Sequence, residues 1–217
     1  MVLICLDLDN TLIHSDKAHT TAYNYALSKL GYKKQNPDYI SSLFGGPHFE
    51  IVKKLLTNSS KEDIDMFIKM HDAYLVKHTA KYAKQIRGAV SAVKKLKKNY
   101  ELALVSNSHH KNVSALLKAT KINPRLFDVI VGADQVKHAK PMPDEIFKAQ
   151  KLSHHKAKLM VGDSIYDIIA GRKAKVKTIA VLTGNYSRKS LEKYKPYKII
   201  NSIRDLPGLI EKKKIII

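Results

Sequence analysis

Two carboxylates and a hydroxyl follow the first apolar run of the sequence. Asp7, Asp9 and Thr11 come directly after residues 2–6, which have the composition of a buried strand. Residues two apart on an extended chain point the same way, so we expect Asp7 and Asp9 to face one crevice at the carboxyl end of the strand, where open α/β sheets bind ligands. The two carboxylates repel each other unless a cation neutralises them, and oxygen ligands suit Mg²⁺. An ordinary turn would use the same residue types.

A second polar segment ends another apolar run. Residues 101–105 form a short predicted strand, which Ser106 and Asn107 follow. A hydroxyl and exposed backbone N–H groups at this place could hold an anion. Ser and Asn are also ordinary loop and N-cap residues after a strand, so this segment alone is a weak signal.

A lysine in a stiffened loop forms the third segment. Lys140 lies within residues 139–144, which contain two prolines and follow the predicted strand at 128–131. A lysine between such neighbours is usually solvated, but here it follows the end of a third predicted strand.

The fourth segment, residues 159–167, indicates a strand, a glycine turn and the start of a helix. Asp163 and Asp167 follow Gly162 and are four residues apart. Positions i and i+4 share one helix face, so we expect both carboxylates to point at one ion.

The order of these segments, Asp-x-Asp-x-Thr, Ser-Asn, Lys-Pro and Gly-Asp-x-x-x-Asp, resembles the haloacid dehalogenase-like hydrolase superfamily. The resemblance covers nearly the whole chain and points to the branch that is similar to phosphoglycolate phosphatase. Two departures are local: Lys175 stands where the branch usually has a glycine, and Ala139 replaces the glycine before Lys-Pro. The resemblance implies an α/β fold, with a Rossmann-like parallel-sheet core in three α/β/α layers and an inserted all-helical cap domain.

The resemblance also implies a role for each residue of the motifs. Asp7 would be the nucleophile that forms an aspartyl-phosphate, and Asp9 would be the general acid and then the general base. Lys140 would balance the charge on the nucleophile and the phosphoryl group.

The remaining motif residues would bind phosphate and metal. Thr11 and Ser106 would hold phosphoryl oxygens through their hydroxyls, helped by Lys140 and by backbone N–H groups near Leu8, Asp9 and Asn107. The resemblance further implies that Mg²⁺ is bound by the side chains of Asp7 and Asp163 and by the Asp9 backbone carbonyl, with Asp167 holding a metal-bound water or Lys140.

Changes in periodicity indicate how the chain is organised. Helical spacing is found in residues 17–30, 37–44, 47–56 and 61–82, with Ser59 or Ser60 as the cap of the last helix. From Gly88 onward strands and helices alternate, as in a parallel sheet with crossover helices. We therefore predict a cap domain at residues 16–85, called the cap segment below, and a catalytic core at residues 1–15 and 86–217.

Two histidines of the cap segment are candidates for substrate contact. His19 lies in the first predicted cap helix, and His48 follows a Gly-Gly-Pro turn; in the resembling branch both places lie near the mouth of the active site. A lone histidine is more often structural or exposed. His109-His110 and His154-His155 have no Cys or carboxylate at ligand spacing, and we expect them to lie at the surface.

Composition and charge narrow the classes of protein to which this chain could belong. The chain of 217 residues is 44% apolar, carries one cysteine, and has no apolar run of the roughly 20 residues that a membrane span needs. We therefore expect a cytoplasmic protein, with Cys5 as a buried thiol. The net charge of +20 is typical of a solvated lysine surface, although it could also steer anionic esters or bind nucleic acid.

Together these observations predict a Mg²⁺-dependent phosphatase for a small phosphorylated metabolite, possibly phosphoglycolate, acting as a monomer or homodimer. The main alternative is a sugar phosphomutase of the β-phosphoglucomutase type, which uses the same core. Dehalogenase chemistry is disfavoured because it does not use a second carboxylate, which Asp9 supplies here. Phosphonatase is disfavoured because His48 stands where that enzyme needs a lysine. A basic nucleic-acid-binding module without catalysis is a distant alternative, since all four motifs are intact.

Overall fold

The computed structural model describes residues 1–56 and 59–212. The last residues of the predicted core, 213–217, and residues 57–58 of the cap segment lie outside this part of the chain. The strands are β1 (Leu3–Leu6), β2 (Ile13–His14), β3 (Lys84–Gln85), β4 (Glu101–Ser106), β5 (Val129–Gly132), β6 (Ala157–Gly162), β7 (Lys177–Val181) and β8 (Lys198–Ile200).

A parallel sheet forms the centre of the described structure. It has six strands in the order β5-β4-β1-β6-β7-β8, so β1 is an inner strand. Leu6 at the end of β1 is in register with Leu104 of β4 and Val161 of β6. Because parallel strands end at the same edge of a sheet, the polar segments after β1, β4 and β6 lie side by side.

Helices cover the sheet and form the cap segment. They are α1 (Asp16–Lys29), α2 (Pro37–Ser42), α3 (His48–Leu55), α4 (Lys61–Tyr74), α5 (Ala89–Lys97), α6 (His110–Ala119), α7 (Asp144–Ser153), α8 (Ile165–Lys173), α9 (Arg188–Glu192) and α10 (Leu206–Glu211). Within the described ranges, no helix has both the length and the apolar character for crossing a membrane.

Alternation along β1 shows why the sheet is covered on both faces. Ile4 and Leu6 belong to one buried apolar cluster, and Leu3 and Cys5 belong to another. A strand buried on both faces is typical of parallel sheets between two helix layers. The predicted three-layer α/β/α fold is confirmed. Cys5 is fully buried, as expected.

The cap segment has an apolar cluster of its own. Tyr23 and Leu27 of α1 pack there with Val52 of α3 and Phe67 of α4. Ala18, on the opposite side of α1, belongs instead to the main core cluster. Helix α1 therefore contributes to both clusters. The division into two domains with the boundaries given above stays a prediction.

A short antiparallel ladder lies where the cap segment joins the core. Ile13 pairs with Gln85 and His14 with Lys84. This pairing was not predicted, because two-residue strands are too short to show a period of two. It holds the two chain connections of the cap segment next to each other.

The ends of several helices follow their predicted signals. Ser60 caps α4 through a reciprocal capping box with Asp63, as expected from the sequence. The single helix predicted over residues 61–82 is instead three pieces, because α4 continues as a π-helix at Leu75–Thr79 and a 3₁₀ turn at Ala80–Tyr82.

Candidate active site

A cavity of about 60 Å³ lies at the carboxyl edge of the sheet, below the cap segment. Side chains from the ends of β1, β4 and β6, from the Lys140 loop and from the cap segment line it. The predicted site residues among the lining are Asp7, Asp9, His19, His48, Asn107, Lys140, Asp163 and Asp167.

Two predicted phosphate-binding residues are not among the lining residues. The Thr11 side chain is fully buried, and its Oγ1 has no hydrogen-bond partner within the described residues. Ser106 is also buried, with its Oγ 3.3 Å from Asp9 Oδ2. Ser108, two residues on, lines the cavity instead and donates to the same oxygen at 3.0 Å.

Lys140 is buried between two carboxylates. Its Nζ lies 2.7 Å from Asp7 Oδ1 and 2.8 Å from Asp167 Oδ1, and it also donates to the Val105 carbonyl at 3.1 Å. Burial lowers the pKa of Lys140, but Asp167 and Asp7 outweigh it and hold the pKa well above its ordinary value. Although a lysine in a proline-containing loop is usually solvated, this one is a permanent buried cation that links the first and fourth motifs.

The carboxylates of Asp7, Asp163 and Asp167 form a group with the composition of a metal site. One oxygen from each lies within 4.8 Å of the others, and all three residues are buried. Burial raises the pKa of Asp7 to about 8, and repulsion from Asp167 and Asp9 adds to this, while Lys140 opposes it. Burial and repulsion from Asp7 and Asp167 likewise hold the pKa of Asp163 well above its ordinary value. Three oxygen donors with one lysine for charge balance fit a hard divalent cation such as Mg²⁺.

The prediction that Asp163 and Asp167 share one helix face was wrong. Helix α8 begins at Ile165, so Asp163 lies in the turn before it and only Asp167 is helical. Asp167 Oδ2 accepts hydrogen bonds from the Ser164 backbone N–H and from its Oγ, in a capping box. The capping box fixes Asp167, and the turn brings Asp163 to the same place.

Asp9 has different surroundings from Asp7. Its carboxylate accepts hydrogen bonds from Ser15 and Ser108, and Nε2 of His19 lies 3.4 Å from its Oδ1. Burial raises the pKa of Asp9, but the hydrogen bond and charge of His19, with both serine bonds, outweigh it and lower the pKa to about 2. Asp9 is therefore an ionised acceptor in this arrangement, which is the form of a general base.

Asn107 joins the cap segment to the Lys140 loop. Its Nδ2 donates to the Gly45 carbonyl at 2.8 Å and to the Lys140 carbonyl at 2.9 Å. Asn185 adds a second link, because it donates to the Ser41 carbonyl at 3.1 Å. The side-chain amide of Asn107 therefore ties the cap segment to the Lys140 loop, and the predicted phosphate contact of its backbone N–H stays a prediction.

The sequence analysis missed three residues near the cavity. His71 and Asp72 on α4 lie beside His19, and His109 donates from Nδ1 to Asp72 Oδ2 at 2.6 Å. His109 lies only partly at the surface, since its side chain is 32% exposed and is paired with Asp72. Asp72 comes from the cap segment, so no carboxylate at local spacing could have revealed the pair.

Comparisons with known proteins agree with this geometry. Residues 4–181 match the model of a family described as haloacid dehalogenase-like hydrolase. A pyrophosphatase, PpaX, of Bacillus cereus (strain Q1) is 30% identical over 207 residues, which cover 94% of this chain and 93% of the relative.

Solved structures show the same fold at lower identity. A predicted phosphatase from Clostridium acetobutylicum has a TM-score of 0.86 at 24% identity, covering 97% of this chain and 98% of the other. A predicted phosphoglycolate phosphatase from Haemophilus somnus 129PT has a TM-score of 0.81 at 22% identity, with coverage of 96% and 97%. A protein from Bacteroides vulgatus, provisionally named beta-phosphoglucomutase, has a TM-score of 0.80 at 20% identity, with coverage of 99% and 89%.

Proposed function

The chain belongs to the haloacid dehalogenase-like hydrolase family, and from this premise we propose that it is a Mg²⁺-dependent phosphatase for small phosphate monoesters. The observation that carries the proposal is the contact of Lys140 Nζ with Asp7 Oδ1, beside Asp163 and Asp167 in a cavity below the cap segment. A buried nucleophile, a fixed cation and a cluster of oxygen donors are the parts that phosphoryl transfer requires.

The proposed reaction has two steps. An Asp7 oxygen attacks phosphorus, the bond to the alkoxide breaks, and an aspartyl-phosphate forms. Asp9 then accepts a proton from the attacking water, which releases phosphate and regenerates Asp7. The ionised state of Asp9 supports the second step. In the first step Asp9 must carry a proton to protonate the leaving oxygen, as the family resemblance implies.

The proposed Mg²⁺ ligands are the side chains of Asp7 and Asp163 and the backbone carbonyl of Asp9, with Asp167 holding a metal-bound water or Lys140. Lys140 remains the protein's own cation in the site. When bound, the ion would neutralise charge on the phosphoryl oxygens. Lys140 orients Asp7 by its hydrogen bond, and the cap segment excludes bulk water by covering the cavity. The cap and core domains with the boundaries given above are part of this proposal.

The substrate is proposed to be small and singly phosphorylated. The cavity has a volume of only about 60 Å³, and within the described residues Lys140 is its one lining lysine or arginine. The cap segment contributes His19, His48, Tyr23 and Phe44 to the lining, which suits a short group with at most one negative charge. Phosphoglycolate is the first compound to test.

Inorganic pyrophosphate is the second compound to test, because the curated relatives are named pyrophosphatase. Its second phosphate would face imidazole and aromatic groups and no further lysine of the lining. We therefore expect a lower kcat/KM for pyrophosphate than for a small monoester. A higher value would move the assignment to anhydride hydrolysis.

The test is phosphate release from a panel of these compounds, p-nitrophenyl phosphate and hexose phosphates, with Mg²⁺ or with chelator. We expect activity that chelator removes, Mg²⁺ restores and Asp7→Asn abolishes. Asp134→Asn, a change outside the cavity lining, is the matched control. Full activity in chelator would contradict the ion assignment. Transfer from a hexose bisphosphate that exceeds phosphate release would favour the phosphomutase.

A further inference from the structure

Three buried histidines meet on the cap side of the cavity. His19 comes from α1, His48 from α3 and His71 from α4, and they are 6%, 8% and 0% exposed. One ring nitrogen from each lies within 4.8 Å of the others. Helices α1, α3 and α4 therefore converge on one point through side chains that can bind a metal.

The distance between two of these nitrogens fits a tetrahedral ion. His19 Nδ1 lies 3.3 Å from His71 Nε2. Two nitrogens bound to zinc at about 2.0–2.1 Å in a tetrahedron are about 3.3–3.4 Å apart. In the absence of an ion the same two nitrogens are at hydrogen-bond distance, so an ion that binds both would displace the shared proton.

The opposite nitrogens of the same two rings face carboxylates. His71 Nδ1 lies 2.9 Å from Asp72 Oδ1, and His19 Nε2 lies 3.4 Å from Asp9 Oδ1. A histidine that binds a metal almost always donates its second N–H to a carboxylate or carbonyl, which fixes the ring and the tautomer. Asp72 is itself fixed by Asn112 Nδ2 at 2.6 Å.

The third histidine offers a nitrogen that has no partner. His48 Nδ1 is buried without a hydrogen bond within the described residues, and its closest charged neighbour, Asp72 Oδ1, is 3.8 Å away. A buried polar atom without a partner is costly unless a ligand or water satisfies it. Burial also lowers the pKa of His71 to about 4 and that of His48 well below its ordinary value, so both imidazoles are neutral at pH 7.

We propose that His19, His48 and His71 form a binding site for a zinc-class transition metal ion, separate from the carboxylate site. A water completes the tetrahedron, because Asp72 is paired with the opposite nitrogen of His71. Imidazole selects zinc, copper and nickel, whereas the all-oxygen group at Asp7 suits Mg²⁺. The ion ties three helices of the cap segment together and lies next to the Asp9 side chain. This site does not depend on the phosphatase assignment.

The test is a Co²⁺ titration of the full, metal-stripped chain in excess Mg²⁺, followed by visible absorption. Tetrahedral Co²⁺ with nitrogen ligands absorbs far more strongly than octahedral Co²⁺ with oxygen ligands. We expect a strong band that saturates at one equivalent and disappears when Zn²⁺ is added. Zn²⁺ alone should also raise the Tm, because an ion bound only by the folded state stabilises it.

Variants separate this site from the carboxylates. His48→Ala and His71→Ala should each remove the band, and Asp72→Asn should weaken Co²⁺ affinity about 10–100-fold. His78→Ala, an exposed histidine further along the cap segment, and Asp163→Asn should retain the band. Far-UV circular dichroism checks that each variant is folded, and the Zn²⁺-dependent Tm rise is the second readout.

Two results would overturn the proposal. One is a wild-type protein that gives no strong band and no Tm rise. The other is a band that Asp163→Asn removes and that persists in folded His48→Ala, which would place the ion among the carboxylates.

Discussion

Gly184 and Asp163 approach each other so closely that a Cβ on Gly184 would lie 1.7 Å from Asp163 Oδ2 and 2.7 Å from its Cβ. Because the Asp163 Cβ is also in contact, rotation of the carboxylate alone cannot make room. Gly184 lies in the segment that follows β7, away from the metal-binding motif in the sequence. It nevertheless shapes the position of a proposed metal ligand.

We expect Gly184→Ala to displace the Asp163 carboxylate and to raise the Mg²⁺ concentration for half-maximal activity about 10–100-fold, as changes around metal ligands typically do. The measurement is phosphate release as a function of Mg²⁺ concentration. Gly208→Ala is the control, since a Cβ there has no neighbour within 4 Å. Equal Mg²⁺ dependence of both variants would show that Asp163 does not bind the ion.

Asp9→Asn separates the two steps of the proposed reaction. p-Nitrophenolate is a good leaving group and needs little acid catalysis, so the phosphoenzyme should still form, while its hydrolysis should slow about 10²–10⁴-fold. We therefore expect a burst of p-nitrophenolate equal to the enzyme concentration, followed by slow turnover. An Asp9→Asn protein with no burst and wild-type turnover would remove Asp9 from the reaction.

Glu145 gives the protein a pH-dependent stability. It is fully buried in the first turn of α7, and burial raises its pKa to about 7, while the charge of Lys140 opposes this. The folded state therefore binds more protons than the unfolded state between the unfolded value of 4.5 and about 7. The free energy of unfolding should fall as the pH rises through this window.

Glu145→Gln replaces the carboxyl group with an amide of the same shape that is neutral at every pH. We expect it to match the wild type near pH 5 and to be more stable by about 3 kcal/mol at pH 8, from a pKa difference of about 2.5 units. Urea unfolding at both pH values measures this, with Glu192→Gln as an exposed control. A stability difference that does not change with pH would show that Glu145 is ionised in both states.

Lys175 adopts a backbone conformation that favours glycine. Its φ is +58°, directly after α8 and Ala174. A non-glycine residue in the left-handed region costs about 1 kcal/mol, so Lys175→Gly should raise the free energy of unfolding by up to that amount. Lys173→Gly, in the right-handed helix, should lower it by a similar amount. If both variants lose stability, the left-handed strain at Lys175 is negligible.

Asn107→Ala should loosen the cap segment. It removes the donors to the Gly45 and Lys140 carbonyls, so we expect faster amide hydrogen exchange in residues 41–46 and about a tenfold loss of kcat/KM. Asn24→Ala is the control, because among the described residues the Asn24 side chain bonds to Gln35 inside the cap segment and to no core residue. Unchanged exchange in residues 41–46 would show that these two hydrogen bonds do not hold the cap segment in place.

The sheet and the core motifs were predictable because each motif follows a strand, and parallel strands bring their carboxyl ends to one edge. The sequence therefore placed Asp7, Lys140 and Asp163 together. It could not place His71, because the contact with His19 spans 52 residues and depends on how α4 packs on α1.

Local geometry at the strand ends was also beyond the sequence. Whether Ser106 or Ser108 lines the cavity depends on how the chain turns after β4. The same holds for Asp163, which the helical spacing rule placed inside the helix, although it lies two residues before α8 begins at Ile165. A spacing rule gives the face of an element only when the first residue of that element is known.

The ladder of Ile13 with Gln85 and His14 with Lys84 also bears on how such a protein can diverge. It fixes both ends of the inserted helices side by side, so the distance that the insertion must span does not depend on its length or sequence. Mutations and length changes in α2 and α3 can then accumulate without moving β1. New substrate preferences can evolve in these helices while the strand end that carries Asp7 keeps its geometry.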